Sequence, residues 1–211
     1  MTSGGNPSRI IRLETGALLD SLDLHDAIGC YLDLLGDENA KVNLVSRETS
    51  RADLVTLAAQ SLIPTSIEMT QVLLKKASRL LDIGSGGGYP AVPLLLAHPN
   101  LSGTLLERRQ KKARALARIV RSLNLNAEVI AEDFDHHDFD VTFDLISLRF
   151  VTLTPRTLSR ARSVIAPEGA ILYYGITEPG LDLAGWRAHR WCYALDDATE
   201  PQHLTVLHRL V

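Results

Sequence analysis

Residues Leu80–Pro90 read LLDIGSGGGYP: an apolar run ending in an aspartate, then four glycines in five positions, then a proline. The apolar run reads as a strand, the glycines as a tight turn, and Pro90 as the opening of a helix, where a missing N–H costs nothing because the first helical turn has no intrahelical acceptor. Gly84 and Gly86 can take backbone angles closed to other residues and leave room for a ligand against the main chain. A dinucleotide turn wants G-x-G-x-x-G, its third glycine letting helix pack on strand. Counting from Gly84, that position holds Tyr89, which obstructs such packing. A Walker loop fails as well, because no Gly-Lys-Ser/Thr follows. The remaining common tenant is S-adenosylmethionine, which carries an amino-acid end, a ribose and an adenine but no pyrophosphate.

Working outward, RLLDI is followed by GTLLE, AEVIAE, FDLISL and AILYYG, short apolar runs separated by helical stretches. That alternation predicts βαβ units and a parallel sheet. After Gly185, WCYALDD and HLTVLHRLV are strand-like segments joined by the turn-rich ATEPQ, so the sheet should end in an antiparallel hairpin. A mainly parallel seven-stranded sheet finished by such a hairpin is the Rossmann-like α/β architecture of the class I methyltransferases, which this succession resembles. Upstream, Leu18, Leu19, Leu22, Ile28, Tyr31, Leu32 and Leu35 recur at helical spacing, and no strand-like alternation is evident before Ala77. Ser50 and Asp53 form a capping box for a helix that Pro64 should end. The expected organisation is a helical cap over residues 1–77 and a methyltransferase domain over 78–211.

The chain of 211 residues is 45% hydrophobic, enough for one substantial core and a small appendage, and its net charge of −3 means that any nucleic-acid binding must come from a local patch. A candidate is ERRQKKARALARIVR, where Arg108, Arg109, Lys111, Lys112, Arg114, Arg118 and Arg121 surround an apolar stripe at helical spacing. A solvated helix face and an RNA-binding face both fit it. Glu107 closes the second strand 25 positions after Asp82, close to where an acid accepts the hydroxyls of a cofactor ribose. In AEDFDHHDFD one acid is expected to serve the adenine; a metal held with His136 and His137, or a solvated loop, are the alternatives. Cys30 and Cys192 lack any ligand spacing and read as ordinary buried thiols. Without an apolar run of membrane-spanning length or a signal-like start, a cytoplasmic protein is expected, and a monomer.

LLDIGSGGGYPAVPLLLAHP, with its second proline Pro93, resembles the D-x-G-[ST]-G-x-G-[FY]-P-x-x-P motif of the bacterial 16S ribosomal RNA guanine N7-methyltransferases, once called glucose-inhibited division protein B. The resemblance extends to YLDLLGDENAKVNLVS upstream and FDLISLRFV downstream and spans roughly Tyr31 to Gly175. It implies that Gly84 and Tyr89 contact the cofactor, that Phe134 and Asp135 border the adenine, and that Arg149 is the arginine of the motif after the fourth strand of the sheet. Asp82, Gly84, Gly86, Tyr89, Glu107, Phe134, Asp135 and Arg149 are thus the expected cofactor-binding set, with Arg149 also catalytic. Arg108, Lys111, Lys112 and Arg118 are the expected RNA contacts, and no metal is expected. Five positions depart from the family pattern: Glu38 stands for tryptophan, Leu57 and Gln60 for histidine and aspartate, Phe150 for alanine and Tyr174 for lysine. The implied reaction is N7-methylation of a guanine in small-subunit ribosomal RNA. Methyl transfer to a small molecule or protein, and non-catalytic binding of S-adenosylmethionine, are the alternatives.

Overall fold

A computed structural model describes residues 10–177 and 181–210. The order is β1 (Ile10–Leu13), α1 (Thr15–Ser21), α2 (His25–Asn39), α3 (Arg51–Ser61), α4 (Glu68–Lys76), β2 (Arg79–Ile83), α5 (Ala91–Ala97), β3 (Ser102–Leu106), α6 (Gln110–Ser122), β4 (Ala127–Ile130), β5 (Phe143–Arg149), α7 (Pro155–Val164), β6 (Ile165–Tyr174), β7 (Trp186–Leu195) and β8 (Gln202–Arg209). The strands form a single eight-stranded sheet in the order β1-β7-β8-β6-β5-β2-β3-β4. Strands β2 to β6 pair in parallel with their neighbours, while β8 runs antiparallel to both β6 and β7. All seven expected strands form, including the closing hairpin.

The eighth strand corrects the expectation of an all-helical cap. Ile10–Leu13 adds to the sheet edge in parallel with β7, Ile10 opposite Cys192 and Leu13 opposite Leu195. A four-residue strand takes its conformation from the edge that receives it, and local periodicity cannot reveal so distant a partner. The Asp196 carboxylate then fixes the exit, accepting from the Thr15 N–H at 2.8 Å and its hydroxyl at 2.6 Å. The capping box of α3 forms as expected: Ser50 Oγ accepts from the Asp53 N–H and Asp53 Oδ2 from the Ser50 N–H, at 3.1 and 3.0 Å. The helix stops at Ser61, and Pro64 falls in the short 3-10 turn that follows.

Alternate residues of the central strands supply two cores. Leu80, Leu105, Leu145 and Leu172 face one cluster with side chains of α1 to α6; Leu81, Leu106, Ile146 and Ile171 face the other beneath α7. Each such leucine or isoleucine contributes about 1.5–3 kcal/mol. Helix α2 buries Ile28, Tyr31, Leu32 and Leu35 on one stripe, and Cys30 falls on its solvent face beside Asp26 and Asp33. The expected buried thiol is therefore exposed, because α2 is amphipathic and position 30 lies off the buried stripe. Cys192 is half-buried, its sulfur 3.3 Å from His203 Nδ1.

Candidate functional site

The chain passes from β2 outward to β3 and β4, then returns to the other side of β2 with β5 and β6. The carboxyl ends of β2 and β5 thus mark the switch point at which open α/β sheets bind ligands. The glycine loop leaves β2 there. Gly84 and Gly86 have φ of 76° and 53°, in the left-handed region that disfavours side chains. The N–H groups of Gly84 and Ser85 both donate to the Leu106 carbonyl, at 2.9 and 2.8 Å, tying the loop to β3.

The two glycines exclude side chains for different reasons. A Cβ on Gly84 would stand 2.6 Å from Val151 Cγ2, whereas one on Gly86 would meet nothing nearer than the Gly84 carbonyl at 3.8 Å. Protein therefore crowds Gly84, whereas a Cβ at Gly86 would make only ordinary contacts and Gly86 lines free space. Behind the loop, the Tyr31 hydroxyl donates to the Gly87 carbonyl at 2.9 Å and that of Tyr89 to the Leu54 carbonyl at 3.1 Å, their rings meeting edge to face at 5.4 Å. Burial pushes both phenols upward, so each stays a neutral donor that clamps the loop to α2 and α3.

The free space is a cleft in two compartments. One, of about 380 Å³, lies against Glu107, Asp133 and Phe134; the other, of about 400 Å³, lies between Gly86, Tyr89 and Arg149. Gly84, Glu107, Lys112 and Phe150 line both. Glu107 accepts from the Arg109 N–H on Oε1 at 2.8 Å and from the Gly86 N–H on Oε2 at 3.2 Å. A carboxylate has about four acceptor sites, so Glu107 is held in place with capacity left for a ligand's hydroxyls.

Several expected site residues lie elsewhere. Asp135 is turned from the cleft into an ion pair with Arg156 at 2.9 Å, and the acids that this stretch puts on the cleft wall are Asp133 and Glu132. Phe134 does line the first compartment, with the Arg160 guanidinium 5.3 Å from its ring centroid. Asp82 is buried below the loop, 1% exposed, and lines neither compartment. Its Oδ1 accepts from Ser147 Oγ at 2.5 Å, its Oδ2 has no partner among the described residues, and desolvation pushes its pKa up to about 7. Of the basic residues, Arg108, Arg109 and Lys112 border the cleft. Lys111 is exposed and borders neither compartment. Arg118 binds Glu38 of α2 with two nitrogens, and these contacts, outweighing the effect of burial, hold that carboxyl down at about 2. The position expected to carry tryptophan thus becomes one end of an ion pair between helices.

Arg149 is 6% exposed and shares the second compartment with Gly84 to Gly87 and Tyr89. Its Nη1 donates to the Leu57 carbonyl at 2.9 Å and to Ser61 Oγ at 3.2 Å, and its Nη2 donates to Gln60 Oε1. The rings of Phe150 and Tyr174 lie 5.0 and 5.7 Å from its guanidinium carbon, and the Tyr174 hydroxyl donates to the Ser61 carbonyl at 2.6 Å. Four departures from the family pattern thus surround one arginine. At Leu57 the group that holds the arginine is the carbonyl, which any residue supplies. At Gln60 and Tyr174 the family's acid and base are both replaced by neutral hydrogen-bonding groups, leaving the local charge balance unchanged. Among the described residues no carboxylate pairs with Arg149.

Leu44, Val45, Ser46 and Thr49, after α2, also wall the second compartment, a role not assigned from sequence. Asn39 Oδ1 holds that wall by accepting from the Leu44 and Val45 N–H groups at 2.7 and 3.0 Å. The stretch DENAKVNLVS, noted above only for its resemblance, carried the clue. Among the described residues no cluster of His, Cys, Asp and Glu is placed to hold a metal ion, and no helix is long and apolar enough to cross a membrane.

The sheet order, with a glycine loop at the switch point and a closing hairpin, defines the class I methyltransferase fold. Solved structures agree: the chain superposes on a putative O-methyltransferase from Klebsiella pneumoniae with a TM-score of 0.61 at 14% identity, covering 93% of this chain and 96% of that one. An O-methyltransferase from Bacillus cereus in complex with SAH gives 0.60 at 17%, covering 87% and 91%. A family model described as "GidB: rRNA small subunit methyltransferase G" matches residues 24–180. Proteins named ribosomal RNA small subunit methyltransferase G from Mycoplasmopsis pulmonis, Acidiphilium cryptum and Chromobacterium violaceum are 32%, 29% and 30% identical. The alignments cover 56%, 81% and 72% of this chain and 50%, 76% and 81% of those proteins. The chain spans half the length of the first and about four fifths of the other two. It belongs to the rRNA small subunit methyltransferase G family.

Proposed function

We propose that this protein methylates N7 of a guanine in small-subunit ribosomal RNA, using S-adenosylmethionine and acting in the cytoplasm, where that RNA is assembled. The observation that carries the reading is a cleft at the switch point, backed by Gly86 and Glu107 and rimmed by Arg108, Arg109 and Lys112, in a chain of this family. The residues fit the cofactor. Glu107 keeps acceptor capacity for ribose hydroxyls, Phe134 offers an apolar wall for an adenine, and Gly86 lines the second compartment with backbone alone. Asp133 takes the part of the acid at the adenine, and Leu44, Val45, Ser46, Thr49 and Leu57, from the helical region before β2, wall the acceptor side.

When bound, the cofactor supplies a methyl on a sulfonium: the N7 lone pair forms the new C–N bond, the C–S electron pair stays with sulfur, and no proton leaves. The protein therefore needs no general base, only positioning and electrostatics. Arg149, fixed by three acceptors from α3, places a permanent positive charge on the acceptor compartment. Lys112 stands ready for RNA phosphates, as does Arg108, whose Nη1 lies 3.8 Å from Asp133 Oδ2, and neutralising phosphates makes affinity depend steeply on salt. Arg118, already neutralised by Glu38, contributes less.

The net charge of −3 favours a second reading, methyl transfer to a small molecule. Mass spectrometry of 16S ribosomal RNA from a strain lacking the gene separates the two. Loss of one 7-methylguanosine, restored by the purified protein and the methyl donor, is the expected result; an unchanged level removes the RNA reading.

A further inference from the structure

Phe150 has no evident task in the fold. Among the described residues it is the most exposed large apolar side chain, at 81%, and the only aromatic among those exposed. Its φ of 57° lies in the left-handed region, which is costly for a bulky residue. The backbone around it is nevertheless firmly held. On one side Arg149 is fixed to α3, and on the other Val151 Cγ2 fills the space where Gly84 lacks a Cβ. The positive φ ends β5 and projects the ring over the seam of the cleft, where Phe150 borders both compartments together with Gly84, Glu107 and Lys112. The Arg149 guanidinium lies 5.0 Å from the ring centroid, holding the ring by a cation–π contact.

A strained backbone presenting an anchored but uncovered aromatic ring at the meeting point of two binding compartments is what recognition of a second planar molecule requires. We propose that the ring of Phe150 is the stacking platform for the acceptor guanine, swung out of its RNA stack and laid on the phenyl ring at the seam. The proposal rests on the RNA reading above and adds the contact by which the base is held. Stacking suits this chemistry. The N7 lone pair lies in the plane of the base, so the methyl must arrive at an edge, and a contact with the face fixes the plane while leaving every edge free. Bases targeted by enzymes are commonly held in this way between aromatic or apolar side chains. Lys112, lining both compartments, and Arg108 and Arg109 at the rim of the first lie where the flanking phosphates would pass.

The test is steady-state methyl transfer to small ribosomal subunits by the full-length protein and its Phe150→Ala, Phe150→Leu and Phe150→Trp variants, with affinity for S-adenosylhomocysteine and melting temperature measured on each. Loss of a base–aromatic stack predicts that Phe150→Ala lowers kcat/KM about tenfold or more. Phe150→Leu should remain as poor, being apolar without a π face, and Phe150→Trp should restore transfer. Cofactor affinity and melting temperature should hold throughout, because so exposed a ring contributes little packing. Equal transfer by wild type and Phe150→Ala, rescue by leucine, or a parallel loss of cofactor affinity would each overturn the proposal. A wild-type protein that transfers no methyl to ribosomal RNA would instead fail the functional reading and take this one with it.

Discussion

The glycine loop and the surroundings of Arg149 face each other across one compartment, yet they are built on different terms. The loop side is made of backbone: positive-φ glycines, N–H groups donating to the Leu106 carbonyl, and a carboxylate held by two further N–H groups. The arginine side is made of side chains, where Gln60, Ser61, Phe150 and Tyr174 converge from α3, β6 and the end of β5. The departures from the family pattern at 57, 60, 150 and 174 all fall on the second side. A backbone cradle has no side chain to exchange, so it keeps its motif. A side-chain shell can be rebuilt, provided that its members change together and the charges still balance.

The contrast can be broken most forcefully at Gly86, which lines the second compartment without a side chain. Gly86→Arg should abolish cofactor binding altogether, through both the filled cleft and the forced positive φ. Calorimetry with S-adenosylhomocysteine reads this directly, and retained binding would mean that the cofactor does not lie against the loop.

A smaller effect belongs to the carboxyl below the loop. Asp82 is raised by burial from the ordinary aspartate range to about 7, so between roughly pH 4 and pH 7 the folded state keeps a proton that the unfolded chain has lost. Stability from this group is therefore full below pH 4 and is lost as pH rises through 7. Asp82→Asn removes the titration and should flatten the fall, by on the order of 4 kcal/mol across that range. Urea unfolding of both proteins at pH 5 and pH 8 checks it, and parallel profiles would exclude a protonated Asp82.

The smallest effect tests whether the arginine shell changes as a set. Tyr174→Lys alone places a second cation beside Arg149 and removes the bond to the Ser61 carbonyl, so it should destabilise the fold and weaken transfer. Adding Gln60→Asp should recover part of the loss, a coupling of about 0.5–3 kcal/mol in a double-mutant cycle. Strict additivity would show that the two positions vary independently.

What the sequence discloses follows the range of each interaction. The capping box at Ser50 and the central strands depend on neighbours within a few residues or on local alternation, and both are read directly. Glu107 is recognisable as a strand-end acid, but its two backbone donors are not, because they depend on how the loop folds back. Asp133 and Asp135 are equally acidic in the sequence, and only the turn geometry assigns one to the cleft and the other to Arg156. Leu57, Gln60 and Tyr174 look like unrelated losses in the chain. Once α3 lies beside the end of β6, they become parts of one shell around Arg149.

The strand β1 has a consequence in time. It leaves the ribosome long before its partner β7, and the Thr15–Asp196 bond that fixes their junction joins residues 181 apart. At ~5–20 residues per second, the first strand waits about ten to forty seconds for its edge to be synthesised. The sheet is thus sealed by β1 returning to the β7–β8 hairpin, and a nascent chain that has already formed its glycine loop still lacks one border of its sheet.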